Sequence, residues 1–250
     1  MEKKLRKSLG EQLFDELCRD IVQGRLPPGS NLPPERKLAE QRGLNRGAVR
    51  EAMKRLAQMR LIHIVHGGGN RVADWQDAAG LELLAELLVT DAGLPDFAML
   101  RSLLEMRACL GVDAARKAAE RATPEAVQGL QQCVDAMRRR PLDIEYLQGE
   151  SQHFWARLVR AADNQAYVMS FNSLARGWER YGAHLRHLLS DELRAISQYQ
   201  AIVDACRKRD PDRAAKHAQQ LVQLASEQMG KAELNYQQRQ AVNNGDLFAC

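Results

Sequence analysis

Beyond Trp75 the sequence carries one periodicity only: Leu- and Ala-rich stretches with apolar residues at helical spacing and no alternating strand pattern. The longer part of the chain is thereby restricted to packed helices. The pattern predicts helices near 77–90, 96–122, 124–138, 144–162, 165–189, 191–209 and 212–236. Thr123-Pro124-Glu125 marks one start, and Arg209-Asp210-Pro211-Asp212 separates the last two. The Gln- and Asn-rich tail from about Asn235 is expected to fray at its end.

The first 75 residues are punctuated differently. Leu13, Leu17 and Ile21, with Phe14 beside them, form the buried stripe of a helix that Gly24 ends. Leu26-Pro27-Pro28-Gly29 then imposes an extended turn. A second, short helix starts after Leu32-Pro33-Pro34, turns Leu38 and Ala39 inward and stops at Gly43. Asn45 is a good N-cap for a third, in which Val49, Ala52, Met53 and Leu56 form the apolar face and Arg46, Arg50 and Lys54 line another. Leu61 to His66 reads as a strand, Gly67-Gly68-Gly69 as a turn and Asn70 to Ala73 as the returning strand.

Charge follows the same division. Met1 to Trp75 holds 15 Lys and Arg against 9 Asp and Glu, whereas the remaining 175 residues hold 21 against 23. The basic segment is the candidate polyanion binder. No apolar run approaches the roughly 20 residues that span a bilayer, so no membrane partner is expected. The basic Met1 to Lys7 is followed by an amphipathic, partly acidic stretch that fits no export signal, and a cytoplasmic location is expected. Cys18, Cys109, Cys133, Cys206 and Cys250 lie far apart without a CxxC pair, the pattern of reduced, mostly buried thiols.

Two short helices joined by a Gly-containing turn, the second basic on its open face, meet the description of a helix-turn-helix whose second helix enters the major groove. Arg46 and Arg50 present forks suited to guanine edges or phosphates. On spacing alone, a merely solvated basic face remains an equal alternative. The ordered run Leu26-Pro27-Pro28-Gly29, Leu32-Pro33-Pro34-Glu35-Arg36-Lys37-Leu38-Ala39, Gly43-Leu44-Asn45-Arg46, Val49-Arg50-Glu51-Ala52, Arg55-Leu56 and His66-Gly67-Gly68-Gly69-Asn70-Arg71-Val72 resembles the DNA-binding domain of GntR-family regulators from about Leu9 to Ala73. The resemblance implies operator contacts by Arg36, Arg46 and Arg50, and by His66 and Gly67 at the wing tip. Asn45 stands where Ser is commoner, and Gly47-Ala48 replaces a usual Thr pair that can touch phosphate, so the resemblance does not carry over a relative's operator sequence.

Within that family an all-helical second domain is similar to the sensor of the FadR subfamily. Leu103-Leu104-Glu105-Met106-Arg107, Ala114 to Glu125 and Ala161-Ala162-Asp163-Asn164 carry this likeness. Many such sensors hold a divalent metal through an Asp-x-x-x-His pair and two later histidines. The corresponding positions here are Ser151, Trp155, Tyr199 and Leu221, and His153 is one residue out of place, so neither metal nor cofactor is expected. The pattern resembles the metal-free, fatty-acid-responsive branch, whose bundle binds long-chain acyl-CoA. The Trp-containing stretch Asp74 to Leu84 and Gly177-Trp178-Glu179-Arg180-Tyr181-Gly182 resemble the same branch. Arg107 could pair with a ligand phosphate or carboxylate, or with an acidic neighbour on its own helix. Trp155, Trp178, Tyr181 and Tyr199 could line the effector pocket, or serve as core.

The expectation is a mainly α protein: an N-terminal winged helix-turn-helix at 1–74, a linker and connecting helix at 75–90, and an all-α helical-bundle effector-binding and dimerisation domain at 91–240. It would act as a homodimer on double-stranded operator DNA, under control of a small acidic molecule such as long-chain acyl-CoA in fatty-acid metabolism. A metal-dependent, small-carboxylate-responsive regulator is the alternative. An enzyme is the remote one, because no nucleophile–base motif is present.

Overall fold

The computed structural model describes residues 8–65, 69–88 and 94–245, apart from the side chains of 85, 177–181, 183–185 and 240–245. It divides into two compact units, Met1–Leu94 and Pro95–Cys250.

In the first unit, α1 (Leu9–Val22) starts from a capping box. The Ser8 hydroxyl accepts from the Glu11 amide at 3.2 Å, and the Glu11 carboxylate accepts from the Ser8 amide at 2.7 Å. These bonds hold the Glu11 carboxyl below the usual carboxylate range. Next come β1 (Asn31–Leu32), α2 (Glu35–Arg42), α3 (Arg46–Gln58), β2 (Ile62–Val65) and β3 (Gly69–Val72). The α1 stripe of Leu13, Phe14, Leu17 and Ile21 packs in one core with Val49, Met53 and Leu56 of α3. The strands form an antiparallel sheet in the order β1-β3-β2, with Ile62 opposite Val72 and Leu32 opposite Asn70.

The strand β1 is a finding beyond the periodicity. Two residues cannot display a period, yet the Pro27 to Gly29 turn delivers them to β3. There the Gly29 amide donates to the Val72 carbonyl and the Val72 amide to that of Ser30, each at 2.8 Å.

Gly10 lets α1 lie against α3: a Cβ there would meet the Ala48 carbonyl oxygen at 3.0 Å and a Glu51 carboxylate oxygen at 3.3 Å. Alanine in its place would gain helix propensity, about 1 kcal/mol, but would press on backbone that cannot swing aside. Gly10→Ala is therefore expected to lower stability by roughly 1–2 kcal/mol net. A thermal melt of the full chain checks this, and an unchanged midpoint would show that α1 can slide without loss.

The predicted helix at 77–90 is broken. The chain forms α4 (Trp75–Ala78), turns extended through Ala79 and Gly80, makes one 3₁₀ turn at Leu81–Leu83 and resumes as α5 (Leu84–Leu87). The break turns Leu83 into the core of the first unit, where Trp75, Ala79 and Leu87 also pack.

The second unit contains α6 (Phe97–Arg121), α7 (Pro124–Arg139), α8 (Ile144–Ala161), α9 (Gln165–Leu185), α10 (Ser190–Arg194), α11 (Ile196–Arg207) and α12 (Pro211–Gly245). Helix α6 packs chiefly on α12, and α7 on α8 and α11. Buried Ala114, Ala115 and Ala118 of α6 and Ala214, Ala215 and Ala218 of α12 are small enough for closely approaching axes. Two predicted helices are interrupted. The one at 165–189 passes into a 3₁₀ turn at Arg186–Leu189, and the one at 191–209 breaks at Ala195, leaving α10 a short piece with no side-chain cap. The last helix extends past its predicted end because Gln, Arg and Ala sustain helix. None of the described helices is long and apolar enough to cross a membrane.

Candidate functional site

Gly43 at φ 62° ends α2 in the left-handed conformation, and the Leu44 amide closes back on the Ala39 carbonyl at 2.9 Å. The Asn45 side chain then accepts from the Ala48 amide at 2.8 Å and starts α3. Burying Val49, Ala52, Met53 and Leu56 leaves Arg46, Gly47, Arg50 and Lys54 on the exposed face. Arg50 reaches Glu35 of α2 at 3.4 Å, and Arg36 reaches Glu40 at 3.9 Å, with the arginines 65% and 74% exposed. Ion pairs this exposed contribute about 0–1 kcal/mol, so neither arginine is locked away from a polyanion. Arg55, by contrast, lies over the Phe14 ring at 3.9 Å and ties α3 to α1.

Three of the five expected DNA contacts, Arg36, Arg46 and Arg50, thus stand exposed on the two helices. His66 and Gly67 lie outside the described residues. Arg71 on β3, not among the expected contacts, is exposed too, and its Nε donates to the Gly29 carbonyl at 2.9 Å. Its signal was strand alternation: Asn70 and Val72 face inward, so Arg71 faces out.

In the second unit, two small cavities of about 30 Å³ each share Arg107 of α6, Trp155 of α8 and Phe171 of α9. Apolar Leu110, Val159 and Leu174 add to the first; Gln148, Ser151, Leu189 and Leu193 add to the second. A Cβ at Gly111 would stand 3.0 Å from the Trp155 ring, so the indole sits directly against the α6 backbone. The Trp155 indole N–H is buried beside the Tyr199 phenol without forming a well-aligned hydrogen bond.

The Arg107 fork grips Glu192 of α10 through both oxygens, Nη1 to Oε2 at 2.7 Å and Nη2 to Oε1. Its partner is therefore neither a neighbour on α6 nor open space. Glu192 is 0% exposed and the Arg107 side chain 14%. Burial opposes the guanidinium charge, but the attraction of Glu192 and the hydrogen bonds to it prevail and hold the pKa above its ordinary value. The guanidinium also lies 5.3 Å from the centre of the Trp155 ring. Glu192 is the residue of this site that sequence reasoning missed. Its one signal was position: it falls three residues after Leu189 and beside Leu193, and a carboxylate on an apolar stripe needs a buried cation.

Trp155 lines both cavities, whereas Tyr199 is not among the lining side chains of either. Tyr199 is fully buried, edge-on to Phe154 at 5.0 Å and bonded to the Ser151 hydroxyl at 2.9 Å. Burial, followed by the nearby Glu192 charge, pushes its phenol well up. Trp178 and Tyr181 stand on α9, but their side chains are outside the described ones. Of the four positions aligned with metal ligands elsewhere, Ser151 and Tyr199 thus bond to each other, and Leu221 is buried. His153 is exposed and pairs with Glu150 at 3.8 Å. Among the described residues no cluster of three or more His, Cys, Asp or Glu is placed to hold a metal ion. Cys18, Cys133 and Cys206 are buried and Cys109 is exposed; burial pushes the Cys206 thiol up to about 12.

Comparison with known proteins matches both units. Residues 9–72 match the model of bacterial regulatory proteins, gntR family, and residues 102–224 match that of the FCD domain. The HTH-type transcriptional regulator Mce2R of Mycobacterium tuberculosis is 35% identical over 221 residues, covering 88% of this chain and 91% of that protein. The fatty acid metabolism regulator protein of Pasteurella multocida is 30% identical over 170 residues, covering 66% of this chain and 67% of that one. Among solved structures, Lar, described as controlling expression of the Listeria monocytogenes agr system, aligns with a TM-score of 0.60 at 18% identity. That alignment covers 90% of this chain and 98% of Lar and shows a shared fold.

Proposed function

We propose, from the premise that this chain belongs to the gntR family of bacterial regulatory proteins, that an acidic small molecule bound in its helical bundle controls its affinity for operator DNA. The chain is a DNA-binding transcriptional regulator with an FCD effector domain, not an enzyme. In this reading residues 1–74 bind DNA through Arg36, Arg46 and Arg50, with His66 and Gly67 at the wing. Residues 75–90 connect, and residues 91–240 sense and dimerise. A homodimer would set two copies of α3 in major grooves about 34 Å apart on a near-palindromic site.

The observation that carries the effector reading is Arg107, a permanently charged fork held in the wall shared by two cavities, the first of them largely apolar. A relative that is a fatty acid metabolism regulator makes long-chain acyl-CoA the first candidate. Each cavity of about 30 Å³ has room for roughly two waters, whereas ligand pockets span about 300–1,000 Å³. Such an effector would therefore have to bind an opened bundle, and that difference between states is what lets binding be felt at the DNA.

The test is a thermal-shift screen against acyl-CoAs of several lengths, free fatty acids and small carboxylates, with and without divalent metal. A binder at a hundredfold excess over its Kd is expected to stabilise by about 2.7 kcal/mol, a rise of roughly 5–10 °C, without metal. A shift by small acids with metal only would favour the metal-dependent alternative. No shift with any acid would remove the effector reading.

A further inference from the structure

We infer that Glu192 is a built-in stand-in for the effector's acid group: an incoming carboxylate takes its place on Arg107, and the exchange releases the segment Leu189–Leu193 that plugs the cavity. The inference rests on the effector reading above, names the device through which it works, and puts a free acid rather than an acyl-CoA thioester on Arg107.

Among the described residues Glu192 is the one charged side chain that is wholly buried. Its two oxygens meet the Arg107 fork in the geometry that any free carboxylate would adopt there. Glu192 and the cavity wall belong to the same short segment, for Leu189 and Leu193 line the second cavity. Withdrawing this segment would remove the acid and two leucines together, enlarging a space too small for a ligand.

The segment is built to come away. It runs from a 3₁₀ turn into the five-residue α10, whose N-cap residue Leu189 supplies no side-chain cap. Apart from Arg107, its polar tie among the described residues is Gln228 of α12, which accepts from the Asp191 amide at 3.1 Å and donates to the Ser190 hydroxyl at 2.7 Å. Expelling Glu192 with nothing to follow would strand the Arg107 charge. Exchange for a ligand carboxylate leaves Arg107 partnered and returns Glu192 to water, so the electrostatic terms nearly cancel. Burial of the ligand's apolar body then decides the equilibrium.

The ligand class is thus a carboxylic acid with an apolar body, and decanoate is a suitable probe. Calorimetry on the full chain is expected to show decanoate binding at least tenfold tighter to Glu192→Gln than to the wild type. Gln228→Ala, which loosens the plug without touching the ion pair, is expected to bind several-fold tighter and decides the matter if Glu192→Gln does not fold. Hydrogen exchange across 189–193 is expected to quicken when decanoate binds the wild type. Decanol, and decanoyl-CoA with no free carboxylate, should gain nothing from Glu192→Gln. Absence of decanoate binding throughout, no gain in the folded variants, or unchanged exchange across 189–193 would overturn the inference. If decanoate binds as expected but leaves operator affinity unchanged, the control reading fails while this one holds. If an acid alters operator affinity with no gain in either variant, the reverse is true.

Discussion

Replacing Arg46 and Arg50 together by alanine is expected to weaken binding to a selected operator duplex by roughly 30-fold to 10,000-fold, since each bidentate contact to a base is worth about 1–3 kcal/mol. The fold should not notice. Both side chains are exposed on the face of α3 opposite its buried Val49, Ala52, Met53 and Leu56. The only described tie that the substitutions remove is the exposed Arg50–Glu35 pair, worth about 0–1 kcal/mol. The operator would be obtained by in vitro selection with the wild type, and affinities compared by fluorescence anisotropy at one fixed salt concentration. Loss of preference for the operator over scrambled duplex, with an unchanged melt, is the expected signature of lost base readout. Wild-type preference in the double variant would remove α3 as the reading helix.

The second large effect is on stability. Arg107→Met leaves the wholly buried Glu192 carboxylate without its partner, and breaking a buried pair from one side costs about 3–5 kcal/mol. For a chain of this size the melting midpoint should fall by roughly 6–20 °C. The double variant Arg107→Met with Glu192→Leu should recover most of that loss, because apolar residues in place of a whole buried pair are often neutral or stabilising. Thermal melts of the four members of this cycle, followed by circular dichroism, test it. If the double variant melts as low as Arg107→Met, the site depends on the pair for more than mutual charge compensation. Retention of an ion pair that greasy residues could replace in stability terms points to a use for its charges, which the exchange with a ligand carboxylate supplies.

The sequence and the structure part company in instructive places. The basic face of α3 was legible because every device that sets it is local: the Gly43 stop, the Asn45 cap, and an apolar face at helical spacing that turns Arg46, Arg50 and Lys54 outward. The strand β1 was not, because its two residues gain their conformation from β3, some 40 positions away, rather than from their own pattern. The breaks at Ala79-Gly80 and at Ala195 were missed for a related reason. Periodicity reports which residues want burial, and Leu83 and Leu193 on either pattern look the same whether their helix is straight or bent to reach the core. In the bundle Arg107 was singled out, but its partner lies 85 positions away on another helix, and no spacing rule reaches that far. Tyr199 shows the converse limit: an aromatic at helical spacing reads equally as pocket or core, and only its bond to Ser151 and its edge-on contact with Phe154 distinguish them.

Operator affinity of the 250-residue chain, measured at fixed salt with and without the acid that gives the largest thermal shift, tests the central claim most directly. The account predicts binding at least 1,000-fold tighter to the selected operator than to scrambled DNA, changed by about 5- to 150-fold when the acid is present. Equal affinity for both duplexes, or an operator affinity that the bound acid leaves unmoved, would contradict it.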